Sequence, residues 1–215
     1  MKLSKEALAG MNKITVDLLV IGAGATGASV AYEAMKRGLK VGLVDAGDIG
    51  SGTSSRSTKL LHGGVRYLEL AFKTLDVSQL KLVREALLER GFWLNEAPFL
   101  ARSIELALPT SNCFNKAYYG VGLKAYDMLA GSSNIGASRL LSKEEINKAI
   151  PLLRGSIDGG VAYKDGQFDD ARLNLLLALT SEREGTYIKT YSEVLEFKYR
   201  ENGQVIGAIS QGIDG

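Results

Sequence analysis

The amino-acid sequence predicts an α/β fold that opens with a parallel strand–helix–strand unit, and three neighbouring segments carry this prediction. The first, TVDLLVIG, is a continuous apolar run that ends in glycine, which is typical of a strand buried on both faces. The second, ATGASVAYEAMKRG, places Ala28, Ala31 and Met35 at helical spacing before a terminal glycine. The third, KVGLVDAG, is another buried strand. Such a unit is expected to have a right-handed crossover.

The middle of the chain predicts two helices separated by a strand. The first helix is expected from about Asp76 to Asn95, with Leu80, Val83 and Leu87 on one face. The segment RSIELALPT alternates in the manner of a strand. The segment NKAYYGVGLKAYDMLAG predicts an aromatic-rich helix.

The last third of the chain predicts further helices and strands in alternation. A short helix begins with Ser142 and Glu145 in capping-box spacing and stops at Pro151. GGVAYKDGQF predicts a strand, and the helix that follows begins at Asp169 or Asp170. The segments TYIKT, SEVLEFKYR and QVIGAIS predict strands, the last two joined by a turn at ENGQ. The closing QGIDG resembles a hairpin turn without its second strand, so we expect the chain to be part of a longer protein.

The composition excludes several classes of function. A net charge of +2 over 215 residues gives no basic footprint for nucleic acid. With one cysteine and one histidine, no internal disulfide and no zinc site of the usual Cys/His kind can form, and we expect no metal site. No apolar run reaches the roughly 18–20 residues of a membrane span. The single cysteine makes an intracellular, reducing setting the expectation. The N-terminal segment lacks the features of a targeting peptide.

A glycine-rich hexamer, GAGATG, lies between the first predicted strand and helix, and Asp45 ends the second strand. This context is that of a dinucleotide-binding fingerprint in a Rossmann-like fold. Gly22 permits the tight turn, Gly24 admits a pyrophosphate, and Gly27 lets helix and strand pack closely. The helix N-terminus offers N–H groups to the phosphates, and Asp45 binds the adenosine ribose. The predicted contacts also include Thr26 and Ala46. The alternative is a glycine-rich turn that binds no ligand.

The segment that follows the second strand favours FAD over NAD. A plain NAD domain continues with further strand–helix units, whereas this chain enters GTSSRSTKLLHGG. Its hydroxyl groups, its two basic side chains and a helix start suit a long ligand that is anionic in the middle, as the pyrophosphate and ribityl chain of FAD are. The hydroxyl and basic residues are Thr53, Ser54, Ser55, Arg56, Ser57, Thr58 and Lys59. The alternative is a solvated Ser/Thr loop that caps a helix.

These motifs together resemble the FAD-dependent glycerol-3-phosphate dehydrogenases, especially their mitochondrial-type branch. GTSSRSTKLLHGGVRYLE is the most specific match, and GLKAYDMLAGSS, LLSKEE and YKDGQFDDARLNL agree with it. The resemblance covers roughly residues 16–209. One departure is Asp45, where relatives often carry Glu, and either carboxylate can reach a ribose. The resemblance implies an FAD-binding domain of the glutathione-reductase/D-amino-acid-oxidase type with part of an α+β substrate (cap) domain.

The resemblance also implies roles for individual residues. The flavin side of FAD would contact the stretch from Thr53 to Gly63, which adds Leu60, His62 and Gly63 to the cofactor contacts. Arg66 and Tyr67 would face the substrate phosphate or glycerol, and an arginine fork suits a phosphate. Val194 would contact adenine through its main chain. His62 is expected to pack beside the flavin and donate a hydrogen bond rather than act as the base. The catalytic base is expected beyond Gly215.

The implied domain ranges are an N-terminal tail (1–12), a first FAD-binding segment (13–72), a cap segment (73–158) and an incomplete second FAD-binding segment (159–215). The implied reaction oxidises sn-glycerol 3-phosphate to dihydroxyacetone phosphate and passes the electrons to a membrane quinone. A peroxide-forming oxidase and an inactive FAD-binding fragment are the alternatives. We expect peripheral association with the inner face of a bacterial cytoplasmic membrane, with the mitochondrial inner membrane as the alternative, and a homodimer is possible.

Overall fold

The computed structural model describes residues 13–212, so the predicted tail at residues 1–12 lies outside the described residues. The chain divides into two compact units. One unit contains the described residues up to Ser57 together with those from Asp170 onward, and the other spans Thr58–Asp169. The chain passes from one unit to the other at residues 57–58 and 169–170, whereas the predicted ranges end at residues 72 and 158. The division into cofactor and substrate domains stays a prediction.

The first unit is built on a parallel sheet of three strands, β1 (Leu18–Ile21), β2 (Val41–Val44) and β7 (Tyr187–Lys189), in the order β1-β2-β7. β2 lies in the middle and pairs with β1 on one side and with β7 on the other. Its helices and strands are β1 (Leu18–Ile21), α1 (Ala25–Lys36), β2 (Val41–Val44), a 3-10 turn (Thr53–Ser55), α6 (Asp170–Arg183), β7 (Tyr187–Lys189), β8 (Ser192–Tyr199) and β9 (Val205–Gly212).

In the core of this unit, small residues of α1 pack against the sheet and against α6. All four residues of β2 are buried, which confirms a strand covered on both faces. α1 buries Ala28, Ala31 and Ala34, and their small side chains allow close packing against α6. β8 and β9 form a separate antiparallel hairpin. The predicted turn at ENGQ is confirmed, since Gly203 has φ +82° and its N–H donates to the Arg200 carbonyl.

The second unit is an antiparallel sheet covered by helices. Its central strand, β6 (Gly159–Phe168), pairs with β4 (Ala101–Thr110) along its whole length. At opposite ends of its other edge, β6 pairs with β3 (Leu60–Leu61) and β5 (Arg139–Leu141). The elements are β3 (Leu60–Leu61), α2 (Val65–Thr74), α3 (Val77–Glu96), β4 (Ala101–Thr110), α4 (Cys113–Ala130), a 3-10 turn (Gly131–Ser133), β5 (Arg139–Leu141), α5 (Lys143–Ala149) and β6 (Gly159–Phe168). The largest core cluster is formed by Leu68, Val83, Leu87, Tyr126 and Ala130.

The predicted helices of this unit are confirmed with small shifts at their ends. The helix expected from Asp76 begins at Val77, with Asp76 accepting the Ser78 N–H as its N-cap. The capping box of Ser142 and Glu145 is present at the start of α5. α2 was not predicted as a separate helix. None of the helices in the described range is long and apolar enough to cross a membrane.

Candidate functional site

The turn between β1 and α1 has the geometry that its glycines predict. Gly22 has φ +99°, a left-handed conformation that favours glycine. A Cβ at Gly27 would collide with the carbonyl oxygen of Gly22, so the third glycine permits the helix to pack against the turn. A Cβ at Gly24 would lie 3.0 Å from the hydroxyl oxygen of Ser54. The turn therefore places backbone without side chains at the N-terminus of α1.

Asp45 follows β2, and its carboxylate binds two backbone N–H groups. Oδ2 accepts the Ala23 N–H at 2.6 Å and Oδ1 accepts the Gly47 N–H at 2.7 Å. The acid is thus fixed beside the glycine turn. Each carboxylate oxygen has a second lone pair, so these bonds leave acceptor capacity for a ribose hydroxyl. Ala46 lies between Asp45 and Gly47 in the chain.

Ser54 lies at the N-terminus of α1, where its hydroxyl oxygen accepts the Ala25 N–H at 2.8 Å. Accepting this bond leaves the hydroxyl proton as a donor. The N–H groups of Thr26 and Gly27 belong to the first helical turn, which has no intrahelical acceptors for them. The helix end combines these donors with the positive end of the helix dipole and with small residues. This arrangement fits the pyrophosphate of a dinucleotide.

Two residues of α6 that sequence analysis did not assign to the site contact it, Asn174 at the glycine turn and Asp170 at Ser57. The Asn174 amide donates to the Ala23 carbonyl at 2.9 Å. Asp170 is buried and accepts both the N–H and the hydroxyl of Ser57, the latter at 2.6 Å. The signal in the sequence was their spacing, since Asp170 and Asn174 are four residues apart and therefore share one face of a helix. Asp170 thus binds a side chain as well as beginning the helix.

Val194 lies in the same unit, near the acid. Val194 is the third residue of β8, and the N–H of the first residue, Ser192, donates to the Asp45 carbonyl at 2.7 Å. Val194 pairs with Ser210, and the register shifts directly after it. Thr53 and Ser55 lie with Ser54 in the 3-10 turn. The structure therefore groups the predicted cofactor contacts of this unit around one end of the parallel sheet.

The remaining predicted cofactor contacts lie in the second unit, between Thr58 and Gly63. Lys59 has φ +57°, an uncommon conformation for a residue with a side chain, and its carbonyl accepts the Phe168 N–H. Leu60 pairs with Gln167 in the short strand β3. His62 is exposed, and its Nδ1 accepts the Gly64 N–H at 3.1 Å. A neutral His62 therefore carries its proton on Nε2, as a donor.

The two predicted substrate contacts lie in the first turn of α2. Gly64, the N-cap residue, has φ +77° and turns the chain into this helix. Arg66 is exposed, and 47% of the Tyr67 surface is exposed. Both side chains thus lie on the surface of this unit, four and five residues after His62.

A buried polar cluster adjoins this segment, and sequence analysis missed it. Arg90 and Asp165 are each about 1% exposed and form an ion pair at 3.1 Å. The Tyr126 hydroxyl lies 3.4 Å from Asp165 Oδ2 and accepts the Gly63 N–H at 2.8 Å. Burial, and next the Asp165 carboxylate, raise the pKa of Tyr126, so its phenol stays protonated. Burial raises the pKa of Asp165 as well, against the opposing effect of Arg90.

A metal site is absent from the described range: residues 13–212 contain no group of three or more acidic, histidine or cysteine side chains suited to an ion.

Comparison with known proteins gives consistent relatives. The family model described as DAO, FAD dependent oxidoreductase, matches residues 17–214. The mitochondrial glycerol-3-phosphate dehydrogenase of Homo sapiens is 45% identical over 204 residues, which cover 94% of this chain and 28% of that protein. The chain thus spans under a third of the length of this relative.

Solved structures agree with this assignment. The glycerol-3-phosphate dehydrogenase from Bacillus halodurans, complexed with FAD, superposes with a TM-score of 0.64 at 30% identity, covering 94% of this chain and 31% of that one. The L-alpha-glycerophosphate oxidase from Mycoplasma pneumoniae shares the fold, with a TM-score of 0.67 at 21% identity over 91% of this chain and 50% of that one. The glycine turn, the acid after β2 and the family match together identify this chain as a member of the DAO family of FAD-dependent oxidoreductases.

Proposed function

We propose that the full-length protein oxidises sn-glycerol 3-phosphate to dihydroxyacetone phosphate with FAD as its cofactor. The observation that carries this proposal is the 45% identity to mitochondrial glycerol-3-phosphate dehydrogenase over 94% of the chain, which includes the glycine turn and the segment from Thr53 to Tyr67. The bacterial dehydrogenase of known structure supports the same substrate.

The first unit is proposed to bind the adenosine and pyrophosphate portion of FAD. Asp45 accepts hydrogen bonds from the ribose, Val194 contacts adenine through its main chain, and the N–H groups of Thr26 and Gly27 bind the phosphates. Ser54 donates its remaining hydroxyl proton to a phosphate oxygen. Additional predicted contacts to this portion are Gly22, Gly24 and Ala46, whereas Thr53, Ser55 and Ser57 of the same unit are proposed to lie along the flavin side of FAD.

The second unit is proposed to supply contacts to the flavin and the substrate. When bound, FAD supplies the acceptor for the hydride that leaves C2 of the substrate. His62 donates from Nε2, since its Nδ1 accepts the Gly64 N–H, and this favours a donor over a general base. Arg66 binds the phosphate through its guanidinium fork, and Tyr67 contacts the glycerol portion. Further flavin contacts are Thr58, Lys59, Leu60 and Gly63.

The acceptor and the location of the protein belong to the same proposal. We propose a membrane quinone as electron acceptor and peripheral membrane association, at the bacterial cytoplasmic membrane or, as the names of the curated relatives favour, at the mitochondrial inner membrane. Hydrogen peroxide produced in air in an amount equal to the dihydroxyacetone phosphate would identify an oxidase instead. Fractionation of cell membranes tests the location, and sedimentation of the purified protein tests the homodimer.

The decisive experiment is an anaerobic visible spectrum of the full-length protein before and after addition of sn-glycerol 3-phosphate. We expect the flavin absorbance to bleach. A flavin band that persists with this substrate would refute the assignment of the reaction.

Arg66→Ala tests the substrate contact. It should raise the KM for sn-glycerol 3-phosphate at least about tenfold, because a charge-assisted hydrogen bond to an ion contributes about 1.5–3 kcal/mol. The matched control is Arg84→Ala, which removes an exposed arginine from helix α3 of the same unit. Equal KM values for the two variants would contradict the role of Arg66.

A further inference from the structure

We propose that Tyr126 is a positioning residue for the segment His62–Gly64, and that the buried Arg90–Asp165 pair fixes the orientation of its hydroxyl. The inference rests on the proposed function, in which this segment contacts FAD. It assigns a role to three buried polar side chains that the reaction itself does not use.

The contact between Tyr126 and Gly63 is the centre of this arrangement. Gly63 is buried, and its N–H donates to the Tyr126 hydroxyl at 2.8 Å. A Cβ at Gly63 would lie 2.5 Å from the same hydroxyl oxygen and would overlap Leu87. The backbone therefore approaches Tyr126 as closely as glycine allows. Because a buried N–H without an acceptor is costly, the tyrosine hydroxyl fixes the position of this peptide.

The Arg90–Asp165 pair determines where the Tyr126 proton points. Since the hydroxyl oxygen accepts from Gly63, its proton turns towards the carboxylate, 3.4 Å away at Oδ2. Asp165 is fixed in turn by Arg90 at 3.1 Å and by the Gly166 N–H at 3.2 Å. The Arg90 guanidinium also lies 5.6 Å from the centre of the Tyr126 ring. The phenol is thus held from three sides.

A buried ion pair contributes little to stability relative to apolar residues of similar size, because desolvating two charges offsets their attraction. This network is instead directed at one short segment. His62 Nδ1 accepts from Gly64, and Gly64 turns the chain with φ +77° into the helix that carries Arg66 and Tyr67. Fixing the Gly63 peptide therefore fixes the residues on both sides of it.

The test uses the full-length protein and the variant Tyr126→Phe, which keeps the ring and removes the hydroxyl. Its matched control is Tyr163→Phe, because the Tyr163 ring packs edge-on against Tyr126 at 6.3 Å and its hydroxyl makes no hydrogen bond within the described residues. Three quantities are compared: amide hydrogen exchange at Gly63 without FAD, the dissociation constant for FAD, and the visible spectrum of the bound flavin.

We expect Tyr126→Phe to accelerate exchange at Gly63 and to weaken FAD binding, each by roughly five- to tenfold, the factor that one hydrogen bond contributes. The flavin spectrum should shift, and the control should match the wild type in all three quantities. Unchanged exchange at Gly63 overturns the proposal. So does faster exchange with unchanged FAD affinity and spectrum, since the tyrosine would then be only a packing residue.

The outcomes separate this inference from the proposed function. A full-length protein that binds FAD but does not oxidise sn-glycerol 3-phosphate refutes the proposed reaction. The inference then still stands if Tyr126→Phe weakens FAD binding and accelerates Gly63 exchange. Thermal unfolding of both variants is the last control. If Tyr126→Phe and Tyr163→Phe lose equal stability, a difference in FAD affinity between them is explained by the lost contact of the Tyr126 hydroxyl with Gly63.

Discussion

Gly27 is the glycine of the fingerprint with the least room for a side chain. A Cβ there would collide with the backbone oxygen of Gly22, which cannot move without opening the turn. We therefore predict that Gly27→Ala weakens FAD binding by at least about tenfold, since a shift of the helix end misplaces its N–H donors. Titration of the apoprotein with FAD measures this.

The matched control is Gly52→Ala. Gly52 lies in the same unit with φ −83°, and no atom lies within 4 Å of the position that a Cβ would take. This variant should bind FAD as the wild type does. Comparable losses in the two variants would show that the contact with Gly22 does not control the turn.

The site could be predicted residue by residue only where spacing carries the signal. The spacing of Gly22, Gly24 and Gly27 and the acid after β2 predicted a turn whose geometry the structure confirms. Arg90 and Asp165 were missed, because charged residues are rarely buried and propensity alone places them at the surface. The available signal was position, since Arg90 continues the buried face of α3 set by Val83 and Leu87.

At the scale of single helices, the capping box of α5 provides a test with a defined pH dependence. The Ser142 N–H, and next Arg139, lower the pKa of Glu145 below its ordinary value of 4.5. A lowered folded-state pKa adds stability that is fully present above the ordinary value and is lost as the pH falls through the folded value.

Two variants separate the parts of this box. Ser142→Ala removes the acceptor for the Glu145 N–H and should cost about 1 kcal/mol in the free energy of unfolding at neutral pH. Glu145→Gln keeps a side-chain acceptor and should flatten the loss of stability below pH 4.5. Chemical denaturation at several pH values measures both. An acid dependence identical to the wild type in Glu145→Gln would contradict the assignment.

Helix α4 contains two glycines that differ only in their surroundings. A Cβ at Gly122 meets no atom within 4 Å, whereas one at Gly120 would lie 3.1 Å from a methyl group of Leu140. Gly122→Ala should raise the free energy of unfolding by about 0.5–1 kcal/mol, because alanine reduces the entropy of the unfolded chain. Gly120→Ala should raise the free energy of unfolding by a smaller amount. Equal increases for the two variants would show that the contact with Leu140 does not affect stability.

The elements were predictable to different degrees for a physical reason. Long segments with one dominant period, such as α3 and β6, were predicted within a few residues. Helix α2 was not separated from the loop before it, because its start is set by the left-handed Gly64 rather than by a capping side chain. A short helix with that start has little local signature.

At the scale of the whole molecule, the first unit is formed by two segments that are distant in the chain. Asn174, on α6, donates to the Ala23 carbonyl in the glycine turn. We predict that Asn174→Ala accelerates amide exchange in β1, β2 and β7 together, by roughly five- to tenfold for one lost buried hydrogen bond, and leaves β4 and β6 unchanged.

The control for this prediction is Glu182→Ala, which removes an exposed side chain from the same helix. It should leave the exchange of both units unchanged. Faster exchange confined to the glycine turn in Asn174→Ala would contradict a cooperative unit built from both segments.

Such long-range pairing limited what could be predicted for the whole molecule. The βαβ unit follows from local periodicity, but the partner of β2 on its second edge is β7, a three-residue strand with weak local preference. The connections of the two units at residues 57–58 and 169–170 lie within continuous motifs, so no linker composition marks them. These features depend on tertiary contacts.

The placement of β7 beside β2 also has a consequence during synthesis. The ribosome makes β2 before the second unit and reaches β7 only after the whole of that unit. At about 5–20 residues per second, the open edge of β2 waits on the order of ten seconds for its partner. During that time a buried, apolar strand has an unsatisfied edge in the nascent chain. The second edge of β2 is therefore closed only after the second unit has been synthesised.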